Sequence, residues 1–302
     1  MINILINSYK EPKATERAIK AFLVQNIPKP FKLIVIDPFL EMKQFIKEKF
    51  QHHKEVEFYL DPGEGKSTAL NMVLEEIYTD NKEDIIISTD GDVYVSNNTI
   101  KEILNSFKDP KIGLVCCRPV SLNSRKNKFG YWSHLLFDEM NKTRKKLSKK
   151  QEFFEVSGYL FAMRNGVIKE FMVDACEDTV ISDLFWKKGY KIAYNENAQS
   201  YVLNPQNFKD WVTQKKRNVK GHISLQKKSK GIKRKTTFFQ EVFRGLYVFI
   251  YPRNLIEFLW SINLLFARLY LWIAAWYDIK IKKDYYRDGW REIETPTTKP
   301  LD

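Results

Sequence analysis

Through its first half the chain alternates short apolar runs with segments whose apolar residues recur every three or four positions. "INILIN" precedes "ATERAIKAFLVQN", "FKLIVID" precedes "LEMKQFIKEKF", "VEFYL" precedes "STALNMVLEEIY", and "DIIISTD" precedes "NNTIKEILNSF". Runs of that length, rich in Ile and Val, predict strands, and the periodic segments predict amphipathic helices. Strands alternating with helices predict an α/β fold whose mostly parallel sheet is covered on both faces. Ligands of such sheets sit beyond the carboxyl ends of the strands. Those ends carry Asn7-Ser8-Tyr9, Asp37, Asp61 and Asp90, so polar residues stand where a nucleotide site is expected.

The middle, from about Gly113 to Ala198, is more mixed. It holds the basic run "NKTRKKLSKK", then "FFEVSGYLFAMRNGVI", then Glu177-Asp178 opening a helical pattern, "TVISDLFWKKGY". After Pro205 comes "TQKKRNVKGHISLQKKSKGIKRK", dense in Lys and Arg and without an acid. The tail changes again: "FFQEVFRGLYVFIYP" has apolar residues at helical spacing, and "FLWSINLLFARLYLWIAAWY" carries a single charge, Arg268.

Composition sharpens this outline in two respects. A formal net charge of +13 over 302 residues points to a polyanionic partner: nucleic acid, an anionic membrane or a phosphate-bearing substrate. The lysine-rich run lacks interleaved aromatics and any nucleic-acid motif, which argues against nucleic acid. The three cysteines, two of them adjacent, form neither a disulfide framework nor a zinc pattern and are expected to be reduced core residues. "MINILINSY" has no basic lead and only a short apolar run. It is expected to be a first strand rather than a signal peptide, which places the catalytic part on the cytoplasmic side.

"LDPGEGKSTALN" invites a different reading, a phosphate loop of the nucleoside-triphosphate hydrolases. That loop needs Gly-x-x-x-x-Gly-Lys-Ser/Thr, and the position five before Gly65 is Leu60. A P-loop-like hydrolase using this loop stands as the alternative function. Asp90-Gly91-Asp92 directly follows an apolar strand. Two carboxylates one residue apart at such a turn can hold a hard divalent cation and leave positions for substrate phosphates. Taken alone, Glu177-Asp178 is equally consistent with acids at a helix N-terminus.

"NSYKEP", Asp37, "GEGKSTALN", "TDGD", "SGYLFAMR", "EDTVISDLFWKKGYKIAYNENA" and "QKKRNVKG" follow one another in that order. Together, over roughly residues 1 to 222, they resemble the family 2 glycosyltransferases, inverting nucleotide-sugar enzymes of the GT-A fold that include cellulose and hyaluronan synthases. The resemblance implies that Tyr9 and Glu11 lie beside the nucleobase, with Lys10 at a usual Asn, and that Asp37 contacts the base. It implies Lys66 as the basic residue of the loop before the third helix, Asp90 and Asp92 as the ribose and metal carboxylates, and Asp92 as the direct ligand of Mn2+ or Mg2+. Glu177 precedes Asp178, which matches the general base. Gln214 and Arg217 match a Gln-x-x-Arg-Trp motif. The Trp is replaced by Asn218, which argues against processive polymer synthesis. The implied reaction moves a sugar from a nucleoside-diphosphate sugar, UDP favoured, onto an acceptor hydroxyl.

His134 and His222 have no partner pattern and are expected to be structural. Basic residues flanking aromatic apolar helices suggest attachment to an anionic membrane face. The 20-residue stretch is long enough to span a bilayer. Arg268 near its centre, and basic flanks on both sides, favour in-plane or hairpin helices on the cytoplasmic side. A lipid-linked or membrane-proximal glycan acceptor follows from that tail. The expected organisation is a catalytic domain over 1–225 and a basic segment with membrane-associated helices over 226–302.

Overall fold

The computed structural model describes residues 1–173, 176–228 and 247–286. The predicted alternation is present: β1 (Ile2–Asn7), α1 (Pro12–Leu23), β2 (Phe31–Asp37), α2 (Leu40–Lys49), β3 (Val56–Leu60), α3 (Lys66–Ile77) and β4 (Ile85–Asp90). A short β5 (Tyr94–Val95), α4 (Thr99–Ser106), β6 (Ile112–Ser121) and the long α5 (Lys128–Lys149) follow. Then come β7 (Leu160–Arg164), α6 (Glu177–Lys187), β8 (Lys191–Val202) and α7 (Phe208–Lys228). The described part of the tail forms α8 (Tyr247–Ile250) and α9 (Leu255–Lys280).

One eight-stranded sheet runs in the order β3-β2-β1-β4-β7-β6-β8-β5. The first four strands are mutually parallel, as the pattern predicts. β7 is inserted antiparallel between β4 and β6. This departure has a direct consequence for the site. Leu160 pairs with Thr89, so the residues leading into β7 lie beside the carboxyl end of β4.

Period-two alternation distributes the strand side chains to two cores. Ile4, Ile6, Leu33, Val35 and Ile87 pack against the apolar stripes of α1, α2 and α4. Leu5, Ile34, Ile36 and Ile86 meet Leu70, Val73 and Leu74 of α3 and Val180, Ile181 and Phe185 of α6. Both faces are covered, as a strand buried on both sides requires. Cys116 and Cys117 are buried free thiols and Cys176 is half-buried.

A third core lies beside the sheet, where Tyr131 and Trp132 of α5, Trp211 and Val219 of α7, and Leu264, Ala267, Leu271 and Ala275 of α9 meet. α9 is organised inside out. Its inner face, toward α5 and α7, carries Glu257, Ser261 and Asp278 among small and aliphatic residues. Arg125 grips Glu257 through two nitrogens, each at 2.8 Å. Lys216 and Lys220 hold Asp278 at 2.7 and 3.1 Å. Its outer face exposes Leu255, Ile256, Leu259, Phe266, Leu269, Ile273 and Trp276, with Phe266 at 69% exposure. α9 is long and apolar enough to cross a bilayer by length and composition. The basic residues Lys230, Lys233, Arg234 and Lys235, and the apolar run preceding Tyr247, lie outside the described residues.

Candidate active site

Strand register assembles the rim. Asn7 is level with Ile36 on one side and Asp90 on the other, and Leu60 is level with Asp37. With strands about 4.8 Å apart, Asp37 and Asp90 stand roughly 10 Å from each other on one edge, two strands removed.

Asp37 is fully buried and accepts backbone N–H bonds from Lys10 and Phe39, each at 2.9 Å. Burial raises its pKa, against those two donors. The Lys10 bond depends on a left-handed backbone at Lys10, φ 54°, a conformation that Asn adopts more readily than Lys. Tyr9 packs edge-on against Phe39 at 5.2 Å, and Lys10 lies over the same ring. Glu11 is buried and precedes Pro12, the first residue of α1. Tyr9, Glu11 and Asp37 thus form one wall at the β1–β2 end.

The opposite wall centres on Lys66. Gly65, at φ 113°, turns the chain into α3 in a conformation closed to other residues, and Lys66 then points across the rim. Its Nζ lies 2.7 Å from Asp90 Oδ1 and 2.7 Å from Glu177 Oε1. Burial works against the ammonium, but the two carboxylates outweigh it and raise its pKa. Glu177 is correspondingly lowered despite its burial, with Arg217 adding to the effect of Lys66.

Asp178, next in the first turn of α6, is offset only in part by Lys66. Burial, followed by the charges of Glu177 and Glu155, pushes its pKa up to about 7. The Thr179 N–H donates to Oδ1 at 2.8 Å, and the Gly158 N–H donates to Oδ2 at 3.3 Å. A carboxyl poised near neutrality in a cleft is suited to taking a proton. Tyr159 ties the acids together. Its hydroxyl pKa is raised by burial and then by Asp92, Asp90 and Asp178, so one phenol feels all three carboxylates.

α7 closes the site from above. Gly221 packs so tightly that a Cβ there would stand 2.3 Å from Cys176 Sγ, the residue just ahead of Glu177. The Arg217 guanidinium donates to Tyr286 Oη at 3.1 Å and rests 5.3 Å from that ring. Gln214, one turn earlier, buries its Oε1 without a hydrogen-bond partner among the described residues. Asn218 is exposed.

Lys66, Asp90, Asp92, Glu177, Asp178 and Arg217 therefore share one electrostatic cluster, with Asp37, Tyr9 and Glu11 farther along the same rim. Gly158 and Tyr159 lie in the motif "SGYLFAMR", which was given no role in the site, and Glu155 was not singled out, because only the antiparallel insertion of β7 brings their segment to the rim. The acid-glycine-aromatic spacing of "EVSGYL" was the available signal. His134 Nε2 donates a structural hydrogen bond to the Asn123 carbonyl at 2.8 Å. His222 faces Glu155 at 3.9 Å, beside the cluster and closer to it than its lack of pattern implied.

The donor set also fits a divalent cation. Four acids (Asp90, Asp92, Glu177, Asp178) outnumber the two cations beside them, Lys66 and Arg217. Their hard oxygens match Mn2+ or Mg2+. Among the described residues no group of three or more His, Cys, Asp or Glu forms a ready cage. A cation held here would complete its shell from substrate phosphates and water.

An α/β sheet with carboxylates and a lysine gathered at the strand ends is the arrangement of the GT-A fold, and the family match identifies the class as glycosyltransferase. The sequence profile of glycosyl transferase family 2 matches residues 3–172, more than half the chain, and the chain belongs to that family. A comparison with curated proteins finds no match. Among solved structures it resembles the mannosyltransferase PcManGT from Pyrobaculum calidifontis, in complex with GDP-Man and Mn2+, with a TM-score of 0.58 and 16% identity. That likeness covers 93% of this chain and 81% of the other. S. aureus TarS 1-349 in complex with UDP-GlcNAc aligns at a TM-score of 0.48 and 15% identity, over 95% and 93% of the two chains. GalNAc-T7 with UDP, GalNAc and Mn2+ aligns at 0.49 and 16%, over 72% of this chain and 47% of the other. Likenesses at the level of the last two carry no weight. Nothing supports the hydrolase alternative: Leu60 ends an edge strand, 46% exposed, and Lys66 is engaged by Asp90 and Glu177.

Proposed function

We propose that the chain is a divalent-cation-dependent, inverting glycosyltransferase. It moves a sugar from a nucleoside-diphosphate sugar, UDP favoured, to a hydroxyl of a lipid-linked or membrane-proximal glycan. The observation that carries this reading is the asymmetry of the paired acids: Lys66 holds Glu177 ionised while Asp178, its neighbour, is left near neutrality.

In this reading Asp37, Tyr9 and Glu11 hold the nucleobase end. The separation of roughly 10 Å between Asp37 and Asp90 leaves room for a ribose between base and diphosphate. Asp92, with Asp90, would hold the cation, which supplies neutralisation of the charge that builds on the leaving diphosphate. Lys66 and Arg217 lie on that same side and stabilise the same charge. Gln214 orients the donor through its unpartnered oxygen. Asp178 takes the proton of the acceptor hydroxyl as it attacks the anomeric carbon. Attack opposite the leaving diphosphate, in one displacement, inverts that carbon. Residues 1–225 then serve as the catalytic domain and 226–302 as its attachment.

The seating of α9 supports attachment in the plane of a membrane surface. Leu264, Ala267, Leu271 and Ala275 fasten it along its length to α5 and α7. A span would draw those polar helices into hydrocarbon.

Thermal unfolding of the purified chain with Mn2+ and a panel of UDP-, GDP- and dTDP-sugars tests the proposal. One nucleotide sugar raises the melting temperature, and Asp92→Asn abolishes the rise. Stabilisation by ATP alone would overturn it.

A further inference from the structure

Asp178 is held by both of its carboxyl oxygens. Thr179 donates its backbone N–H to Oδ1 at 2.8 Å, and Gly158, in the segment entering β7, donates its own to Oδ2 at 3.3 Å. The second donor lies outside the helix, 20 residues earlier in the chain. Glycine suits the approach. A Cβ at Gly158 would stand 3.3 Å from Glu177 Oε1 and 3.6 Å from Asp178 Oδ2, so a side chain would crowd the first of these acids.

Two residues without a role so far fix that segment. Ser182, one turn beyond Asp178 on α6 and fully buried, accepts the Val156 N–H at 3.0 Å. Its hydroxyl donates back to the Asp178 carbonyl at 2.6 Å. Arg144 reaches across from α5 and donates Nη2 to the Val156 carbonyl at 3.2 Å. Val156 is thus pinned at both its N–H and its C=O, just ahead of the Gly158 donor. The bonds close a ring. It runs from the Asp178 carbonyl through Ser182 to Val156, along the chain to Gly158, and back to the Asp178 carboxyl. Neither residue is the choice that stability alone would make. A serine bonded back to the preceding turn weakens a helix slightly, and Ala would serve α6 better. Arg144 buries its Nη1 without a hydrogen-bond partner among the described residues, which is costly.

We infer that Ser182 and Arg144 are positioning residues for the catalytic base: through Val156 they hold the Gly158 N–H against Asp178, and so aim that carboxyl at the acceptor hydroxyl. The inference rests on the transferase reading and adds to it how the base is aimed. In the step itself the acceptor oxygen bonds to the anomeric carbon as the bond from that carbon to the diphosphate breaks. The electron pair of the broken bond leaves with the diphosphate, and the hydroxyl proton passes to Asp178. Displacing a reacting group by about 1 Å can cost on the order of 10²-fold in such a step. The donor stays bound, because Asp37, Lys66 and Arg217 lie outside the ring.

Turnover by the full chain tests the inference. The probe is the nucleotide sugar that stabilises the chain, with Mn2+ present, and release of its nucleoside diphosphate is followed with water or simple sugars as the attacking hydroxyl. Ser182→Ala and Arg144→Met are each expected to lower kcat by about tenfold and to leave KM for the nucleotide sugar within about twofold of the wild type. Ser182→Cys and Arg144→Lys, which keep a polar group in place, recover part of the rate. In an Asp178→Asn background Ser182→Ala changes kcat no further, because the base it aims is gone. Ser133→Ala removes a buried hydroxyl bond to Ser121 elsewhere on α5, and is expected to lower the melting temperature with kcat unchanged. If Ser182→Ala fails to fold, the two Arg144 variants carry the test. Unchanged kcat, a rise in KM that accounts for the whole loss, or a loss that adds in full to that of Asp178→Asn would overturn the inference and leave the transferase reading standing. Binding without cleavage would remove the base, and the inference with it, while the donor site stood. A wild type that neither binds nor cleaves any nucleotide sugar would overturn both.

Discussion

Asp178 and Glu177 are consecutive acids on one helical turn, yet their pKa values are displaced in opposite directions. Lys66 makes the difference: its ion pair outweighs burial at Glu177, while its pull on Asp178 does not. For Asp178 the folded-state pKa of about 7 lies above the ordinary aspartate value of 3.8. Between those values the folded chain binds a proton that the unfolded chain releases. The buried carboxyl therefore costs stability increasingly as pH rises through this window, and the full cost is present above about 7. Two outcomes follow at this scale. The kcat/KM profile has a limb near pH 7, activity falling on the acid side as the base is protonated. Asp178→Asn lowers kcat by roughly 10²–10⁴-fold, and its melting temperature at pH 8 rises above that of the wild type. A mutant that loses activity and stability together would show that Asp178 is a packing residue instead.

At the scale of elements, the site is a meeting of ends: four parallel strands, the approach to β7, the first turn of α6 and one face of α7. The strand ends were legible, because Ile- and Val-rich runs closing on Asp37 and Asp90 follow from local pattern. The antiparallel β7 was not. "LFAMR" carries no direction, and its place between β4 and β6 is decided by contacts far apart in sequence. The role of Glu155 was hidden for that reason, although it helps set the electrostatics of a base that the sequence did reveal. The position of α7 was half legible. Gln214 and Arg217 mark the helix, but nothing local announces that Gly221 must touch Cys176. Gly221→Ala drives a methyl group into Cys176 Sγ and is expected to cost about 1–3 kcal/mol. Cys176→Ala, by removing the sulfur, recovers part of that loss when the two are combined. Denaturant unfolding of the two single variants and the double variant measures the coupling, and strict additivity would show that the two helices do not meet there.

At the scale of the molecule, the sequence pattern of the tail showed an apolar helix but not which side faced the protein. Packing decides that. Glu257 and Asp278 turn inward to ion pairs, and the large apolar side chains turn out. Replacing Phe266, Leu269 and Ile273 together by Gln removes outer apolar area without touching an inner contact. Vesicle binding is expected to fall at least tenfold, since each buried side chain of this kind contributes about 1.5–3 kcal/mol. Stabilisation by the nucleotide sugar is expected to persist. Co-sedimentation and thermal unfolding on the same preparation separate the two effects, and unchanged sedimentation would show that this face does not meet lipid.

The inward turn of Asp278 ties two otherwise separate parts of the chain. Lys216 and Lys220, which hold it, flank Arg217 on one helix, and Arg217 acts on Glu177 in the cleft. Whatever seats α9 therefore also sets the height of α7 above the donor. A detergent that floats the tail off its bed would loosen the grip on the departing diphosphate, even though every residue of the cleft stayed intact.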